Sequence, residues 1–189
     1  MGKVVGLISL FLLLNTYISP LYSANNPSVT FTKENDGTHT FLIDFKFFYH
    51  GNIDNALKKL TNFENLKDLN PTIKDSYVEK SSLDEYFVRS KFRDCVLFIC
   101  RNISMLEKVT YSCSNSTRCK INSAVVSEDN NDIKSGKTSW NLFYLDNKTK
   151  ITYSSKINIF IDAPDFLGEK FIVNSFISNL NYLSKAINK

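Results

Sequence analysis

The chain has 189 residues, a formal net charge of +4 and 22% charged side chains. Its cations are interspersed with acids, as in Lys67-Asp68 and Arg93-Asp94. Because no basic cluster forms, this composition argues against a nucleic-acid-binding protein.

The first residues have the layout of a secretory signal peptide. Basic Lys3 precedes an apolar run, Val4–Leu14, and small residues follow near Ser23 and Ala24. A membrane anchor is the alternative, but the run is shorter than the roughly 18–20 apolar residues that span a bilayer. We therefore predict cleavage of residues 1–24, no stable membrane span afterwards, and a periplasmic or secreted protein.

Removal of the leader leaves about 165 residues, the size of one domain. Residues 25–37 are polar and are predicted to form an extended lead-in to a domain over 38–189. In Thr38–Tyr49, aromatic and aliphatic side chains alternate with polar ones, which predicts a strand with one buried face. Two short helices should follow, the first capped by Asn52 and the second ending before Pro71.

The middle of the chain has short runs rich in Val, Ile, Thr, Tyr and Phe, separated by polar turns, and these runs predict an antiparallel meander. The predicted strands are Asp75–Lys80, Asp84–Phe92, Val96–Asn102, Glu107–Cys113, Cys119–Val126, Lys137–Asp146 and Thr149–Ile161. Asp146-Asn147 predicts a tight hairpin turn, and Glu128–Ser135 a polar loop.

Ala163–Lys189 predicts one long amphipathic helix. Pro164 suits its first turn, and apolar side chains recur at steps of three and four residues. The apolar positions are Phe166, Val173, Phe176, Ile177, Leu180, Leu183 and Ile187. Together these elements predict an α+β domain in which a curved antiparallel sheet of about six to eight strands surrounds the C-terminal helix.

All four cysteines lie close together, as Cys95-x4-Cys100 and Cys113-x5-Cys119. In an exported chain this even number is most simply explained by two local disulfides. A zinc site usually has shorter ligand spacings, so we predict no metal. Gly136-Lys137-Thr138 lacks the earlier glycine and the following helix of a phosphate-binding loop, and we predict no cofactor.

This order of elements resembles the START-like superfamily of helix-grip domains, which includes polyketide cyclases, coenzyme Q-binding proteins and lipid-transfer proteins. The chain is also similar to uncharacterised, exported bacterial members of the group. The matching stretches are the basic strand with its Cys-x4-Cys run, Phe87–Cys100, the later strand Ser139–Phe143, and the helix start Ala163–Gly168. Cys113 and Cys119 are not part of that pattern.

The resemblance implies a cavity between the sheet and the long helix that holds an apolar ligand. Aromatic residues commonly line such cavities, although each is also an ordinary core residue. The aromatic candidates are Phe45, Phe47, Trp140, Phe143, Phe171 and Phe176.

Arg89, Lys91 and Arg93 share one side of an alternating strand. Since Val88 and Ser90 occupy the other side, solvent is the simpler surrounding for the cations; Arg89 is kept as a candidate contact for an anionic head group. His39 and His50 have no catalytic or metal-binding spacing, and we expect both at the surface.

The leading hypothesis is an exported protein that binds a lipid or another hydrophobic small molecule. One alternative is an enzyme of the cyclase or aromatase type, for which Tyr111, Tyr144, Tyr153 and Asp44 are undifferentiated participants and no catalytic residue is assigned. A second alternative is a protein-interaction module without a pocket. The sequence leaves the ligand, the oligomeric state and the presence of catalysis open.

Overall fold

The structure is a computed structural model that describes residues 26–96, 99–126, 133–161 and 165–189. Within these ranges, only the backbone of residues 94–96, 99–101 and 165–168 is described. The predicted signal peptide and Pro164 lie outside the described residues, as does most of the predicted loop Glu128–Ser135.

The strongest alternation in the sequence forms the strand β2, Thr38–Tyr49, with the predicted bounds. Phe41, Ile43, Phe45 and Phe47 point to the same face and are at most 2% exposed, because successive side chains of a strand alternate between its two faces. The preceding segment also forms a strand, β1, Ser28–Lys33, which pairs antiparallel with β2.

Two short helical segments follow, as the sequence predicts. Helix α1, Ile53–Leu60, begins after Asn52, whose side-chain oxygen accepts a hydrogen bond from the backbone N–H of Asn55 at 2.9 Å. This bond satisfies one of the free N–H groups of the first turn. A 3₁₀ helix, Phe63–Asp68, comes next and packs against the following strand.

The remaining strands complete an eight-stranded antiparallel sheet with the order β1-β2-β8-β7-β6-β5-β4-β3. Their bounds are β3, Ile73–Ser81; β4, Glu85–Val96; β5, Ile99–Asn115; β6, Arg118–Val125; β7, Ile133–Leu145; and β8, Lys148–Phe160. The sheet is a meander except that β8 returns to pair with β2.

Two features of the meander differ from the sequence-based expectation. Val96–Asn102 and Glu107–Cys113 were predicted as separate strands, but Val96 is the last residue of β4, and β5 continues from Ile99 through Glu107–Cys113 without a break. The intervening Ile103 to Leu106 has neither glycine nor proline, and its alternation continues that of the flanking strands, so no turn forms there. In addition, the last residues of the predicted polar loop, from Ile133, already belong to β7.

The predicted hairpin turn is present between β7 and β8. Asp146 and Asn147 have φ angles of 52° and 60°, the left-handed conformation that a two-residue hairpin turn requires at both central positions. Asn and Asp tolerate that conformation better than other residues with a side chain.

The long C-terminal helix α2, Asp165–Ala186, packs against β1 and β2. Leu180, Leu183 and Ile187 from this end of the chain are buried in the same core cluster as the phenylalanines of β2. In the described part of the chain, no helix combines the length and apolarity of a membrane crossing.

His39 is not at the surface, which corrects the sequence-based expectation. It is 2% exposed, and its Nε2 lies 3.0 Å from Oε1 of Glu169 on α2. The position is in phase with Phe41 on the inner face of β2, so the strand period carries the imidazole inward. His50, by contrast, is exposed, and its backbone N–H donates to Asn188.

Candidate functional site

A cavity of about 370 Å³ lies between the concave face of the sheet and α2. This volume falls within the range of small-molecule sites in proteins. Most of its wall is aliphatic or aromatic and comes from β4 to β8, α2 and the 3₁₀ helix. Its apolar wall includes Val88, Val109, Ile121, Trp140, Phe176 and Leu183. The site can therefore remove an apolar molecule of moderate size from water.

One row of polar side chains crosses the apolar wall. Ser123 on β6 is directly opposite Thr138 on β7, and Thr138 is directly opposite Ser155 on β8. Ser123 pairs with Val109 on β5. Glu107 is two residues before Val109 on the same strand, so it lies on the same face and diagonally opposite Ser123. These positions share the inner face because paired residues on neighbouring antiparallel strands point to the same side of a sheet. We call Glu107, Ser123, Thr138, Tyr153 and Ser155 the polar row; all five line the cavity.

Among the described residues that line the cavity, Glu107 is the only Asp, Glu, Lys, Arg or His. Its Oε1 accepts a hydrogen bond of 2.7 Å from the Ser123 hydroxyl. Burial raises the pKa of the Glu107 carboxyl, and the bond from Ser123 offsets only part of that effect. Desolvation favours the neutral acid because the protein interior solvates a charge poorly.

The other half of the polar row is built from hydroxyl groups. The oxygens of Thr138 and Ser155 are 2.9 Å apart, within hydrogen-bond distance. Burial raises the pKa of the Tyr153 hydroxyl, while hydrogen bonds with Ser155 and Thr138 act in the opposite direction. The Tyr153 ring packs edge-on against Trp140 with 4.6 Å between ring centroids, which fixes both rings at the cavity wall.

Four of the six aromatic candidates lie either at the cavity wall or in the core beside it. Trp140 and Phe176 line the cavity. Phe45 and Phe47 are each 1% exposed and stack on one another at 5.0 Å, within the core cluster that also contains Ile53 and Ala56 of α1. Neither phenylalanine is among the cavity-lining residues, so both belong to the filled part of the interior.

The other candidates lie away from the cavity wall. The Arg89 side chain pairs with Glu79 and donates to Ser104, while its neighbours Val88 and Ser90 line the cavity. Period-two alternation thus places Arg89 on the outer face of the sheet, away from the cavity lining. Phe143 is also off the lining, with the Arg118 guanidinium 5.2 Å from its ring, and Phe171 is half-buried on α2 outside the lining.

The four cysteines form two pairs, and the members of each pair lie opposite one another on neighbouring strands. Cys113 on β5 and Cys119 on β6 are register partners and form a disulfide, as the sequence predicts. Cys95 and Cys100 are also register partners, on β4 and β5, but their side chains are outside the described set. Within the described residues, no three His, Cys, Asp or Glu side chains form a group that could hold a metal ion.

Sequence reasoning named Tyr153 but missed the rest of the polar row. The signal was present: Met105, Glu107 and Val109 alternate on one face of a strand, and an acid in phase with apolar residues is unusual. The erroneous break before Glu107 concealed it. The other polar side chains named for an enzyme have different roles, since Asp44 accepts from Ser154, Tyr144 donates to Asn147, and Tyr111 lies against Tyr86.

Comparison with known proteins gives a likeness of structure only. No protein-family model matches the chain, and no curated protein matches it by sequence. A STAR-related lipid transfer protein from Xanthomonas axonopodis superposes with a TM-score of 0.64 at 14% identity, over 85% of this chain and 99% of that one. The Zhui aromatase/cyclase from Streptomyces sp. R1128 gives 0.62 at 12% identity, over 79% and 94%.

The human StarD13 lipid transfer and protein localization domain is a further match, with a TM-score of 0.57, 9% identity, and coverage of 85% of this chain and 89% of that one. At these identities the likeness concerns the fold. The eight-stranded antiparallel sheet, the two short helical segments and the terminal helix confirm the predicted fold class, although the lead-in forms an additional strand, β1. The chain therefore has the α+β helix-grip fold of the START-like superfamily.

Proposed function

We propose that this protein binds and shelters a lipid or another hydrophobic small molecule in the cavity between the sheet and α2. The observation that carries the proposal is the cavity itself, about 370 Å³ with a predominantly apolar wall. A filled interior would have favoured an interaction module, because packed cores rarely leave voids larger than a water molecule. The structural likeness to lipid-transfer proteins and to an aromatase/cyclase supports the same conclusion.

Binding is preferred to catalysis as the first function. The cavity offers a large apolar area and one short polar row, which together can retain and orient a ligand. Catalysis requires groups placed around a reacting atom, whereas the polar row lies along one wall, the inner face of β5 to β8.

The binding proposal can be tested by placing a bulky side chain in the cavity at a position on α2. Ser175 lines the cavity on α2, whereas Ser178 is exposed on the same helix. Ser175→Phe should reduce the binding of Nile red, a neutral fluorophore that brightens in apolar sites, by about 10-fold or more, because the added ring occupies the ligand volume. Ser178→Phe adds the same side chain outside and should leave binding within about twofold.

Native mass spectrometry of the protein from its own cells complements that titration. We expect a mass excess that disappears on denaturation and an apolar molecule in the solvent extract. If Nile red binds equally to both phenylalanine variants and the native mass is that of the bare chain, the cavity does not hold a ligand.

We further propose that the protein is exported and acts in the periplasm or outside the cell. The N-terminal pattern supports this location, and so does the Cys113–Cys119 disulfide, because such bonds persist mainly in oxidising compartments. The mass of the protein from the extracytoplasmic fraction should lack the first 24 or so residues. Intact protein confined to the cytoplasm would contradict export without bearing on the cavity.

A further inference from the structure

Glu107, Ser123, Thr138, Tyr153 and Ser155 form a continuous polar row in the cavity wall. The other polar lining residues come from β4, α2 and the segment before β3, and they are Asn70, Thr72, Ser90, Ser175 and Asn179. The row spans four adjacent strands, β5 to β8, and is surrounded by apolar side chains such as Val109, Ile121 and Ile157. A buried polar group that lacks a partner costs free energy. The five groups of the row bond to one another only in part, so the row is suited to a ligand that supplies further hydrogen-bonding atoms at that place.

The charge of the wall limits the chemistry of the ligand. None of the described residues lining the cavity is Lys, Arg or His, so a carboxylate or phosphate head group would meet no counter-ion. It would instead lie near Glu107, whose carboxyl is already difficult to ionise because of burial. An isolated anion in such surroundings is strongly disfavoured.

The hydrogen-bonding groups of the row suit an uncharged oxygen. Hydroxyl groups of Ser, Thr and Tyr both donate and accept, and a carboxyl group accepts and, when protonated, also donates. The Ser123 hydroxyl donates a hydrogen bond to Oε1 of Glu107. Among the described side chains Ser123 is the hydrogen-bond partner of this carboxyl, so Oε2 is available to a molecule in the cavity.

We infer that the ligand has an apolar body and one uncharged oxygen group, an alcohol or a carbonyl, which hydrogen-bonds to the polar row with Glu107 as the main contact. This inference rests on the proposed binding function and adds the class of head group to it. It excludes free fatty acids and acyl phosphates as preferred ligands, since both would bring an anion to a wall without cations.

The protein contains its own reporter for the test. Trp140 is the single tryptophan of the chain, it lines the cavity, and its ring contacts Tyr153 of the row. Ligand entry should change its fluorescence directly. The probes are 1-decanol, decanoate and decylammonium, which share one chain length and differ in the head group, each titrated at pH 7 below its micelle concentration.

We expect 1-decanol to bind at least about 10-fold more tightly than decanoate, because the buried carboxylate would lack a partner. Glu107→Leu should weaken 1-decanol binding about 3- to 10-fold, the loss expected for one hydrogen bond. The control is Glu85→Leu, the same replacement at a partly exposed position paired with Lys108, which should leave every affinity within about twofold.

The outcomes separate the inference from the function on which it rests. Equal affinities for the three probes, tighter binding of either charged probe, or an unaffected Glu107→Leu variant would overturn the inference while leaving an apolar binding site in place. If no probe changes the fluorescence of Trp140, both the inference and the proposed function fail. Circular dichroism of Glu107→Leu confirms that any loss of binding occurs in a folded protein.

Discussion

The buried carboxyl of Glu107 should impose a pH dependence on the stability of the fold. Its pKa is raised by burial above its ordinary value of 4.5. At a pH between 4.5 and the folded-state pKa, the folded protein keeps a proton on Glu107 that the unfolded chain has already released. The contribution of Glu107 to stability is thus fully present below pH 4.5 and is lost as the pH rises towards the folded-state pKa.

Glu107→Gln removes this titration while keeping the size of the side chain and an oxygen that can accept from Ser123. Within the window in which only the folded carboxyl is protonated, wild type should lose about 1.4 kcal/mol relative to the variant for each pH unit. The difference should become constant once the pH exceeds the raised pKa. Glu85→Gln removes the same charge near Lys108 at the surface and should produce only a small difference.

Urea denaturation of the three proteins at intervals of half a pH unit, from pH 4 to 8, measures these differences. The free energy of unfolding is compared between wild type and each variant at the same pH, so that the titration of other groups cancels. A Glu107→Gln difference that is flat from pH 4.5 upward would show that the carboxyl ionises as freely as in the unfolded chain. The reasoning that burial disfavours ionisation of the Glu107 carboxyl would then be wrong.

Three further predictions concern the scaffold, each measured as a change in the free energy of unfolding. Phe45→Ala should cost about 3–5 kcal/mol, since this side chain is 1% exposed in a filled region; a loss below 1 kcal/mol would place it at a void. Asn52→Ala should cost about 1 kcal/mol through loss of the helix cap, and an unchanged stability would mean that water replaces the cap. Replacing both Cys113 and Cys119 by Ala should cost about 2 kcal/mol, because the bridge closes a short loop with a sequence separation of 6; an equal or higher stability would contradict that loop-closure argument.

Local patterns determined much of the architecture. The alternation of Thr38–Tyr49 defines one strand and its buried face, Asn52 defines the start of α1, and Asp146-Asn147 defines a hairpin. These features depend on neighbours within a few residues, because strand periodicity, helix capping and turn geometry are local. The order of the elements then led to the helix-grip fold through resemblance.

Tertiary structure decided which inward-facing residues meet a cavity. Phe45 and Trp140 are both aromatic residues on inner faces of strands, yet Phe45 lies in a packed region and Trp140 at the cavity wall. The period of a strand specifies the side of the sheet, but it contains no information about the distance to α2 at each position. That distance depends on how the curved sheet and the helix pack, which involves residues far apart in the chain.

The polar row shows the same division. Sequence alone places Glu107 among alternating residues and makes Ser123, Thr138 and Ser155 ordinary strand residues. Only the pairing of β5 with β6, β6 with β7, and β7 with β8 places them side by side. Register is a relation between strands, and a shift of one residue would turn each side chain to the opposite face; the site therefore exists only in the assembled sheet.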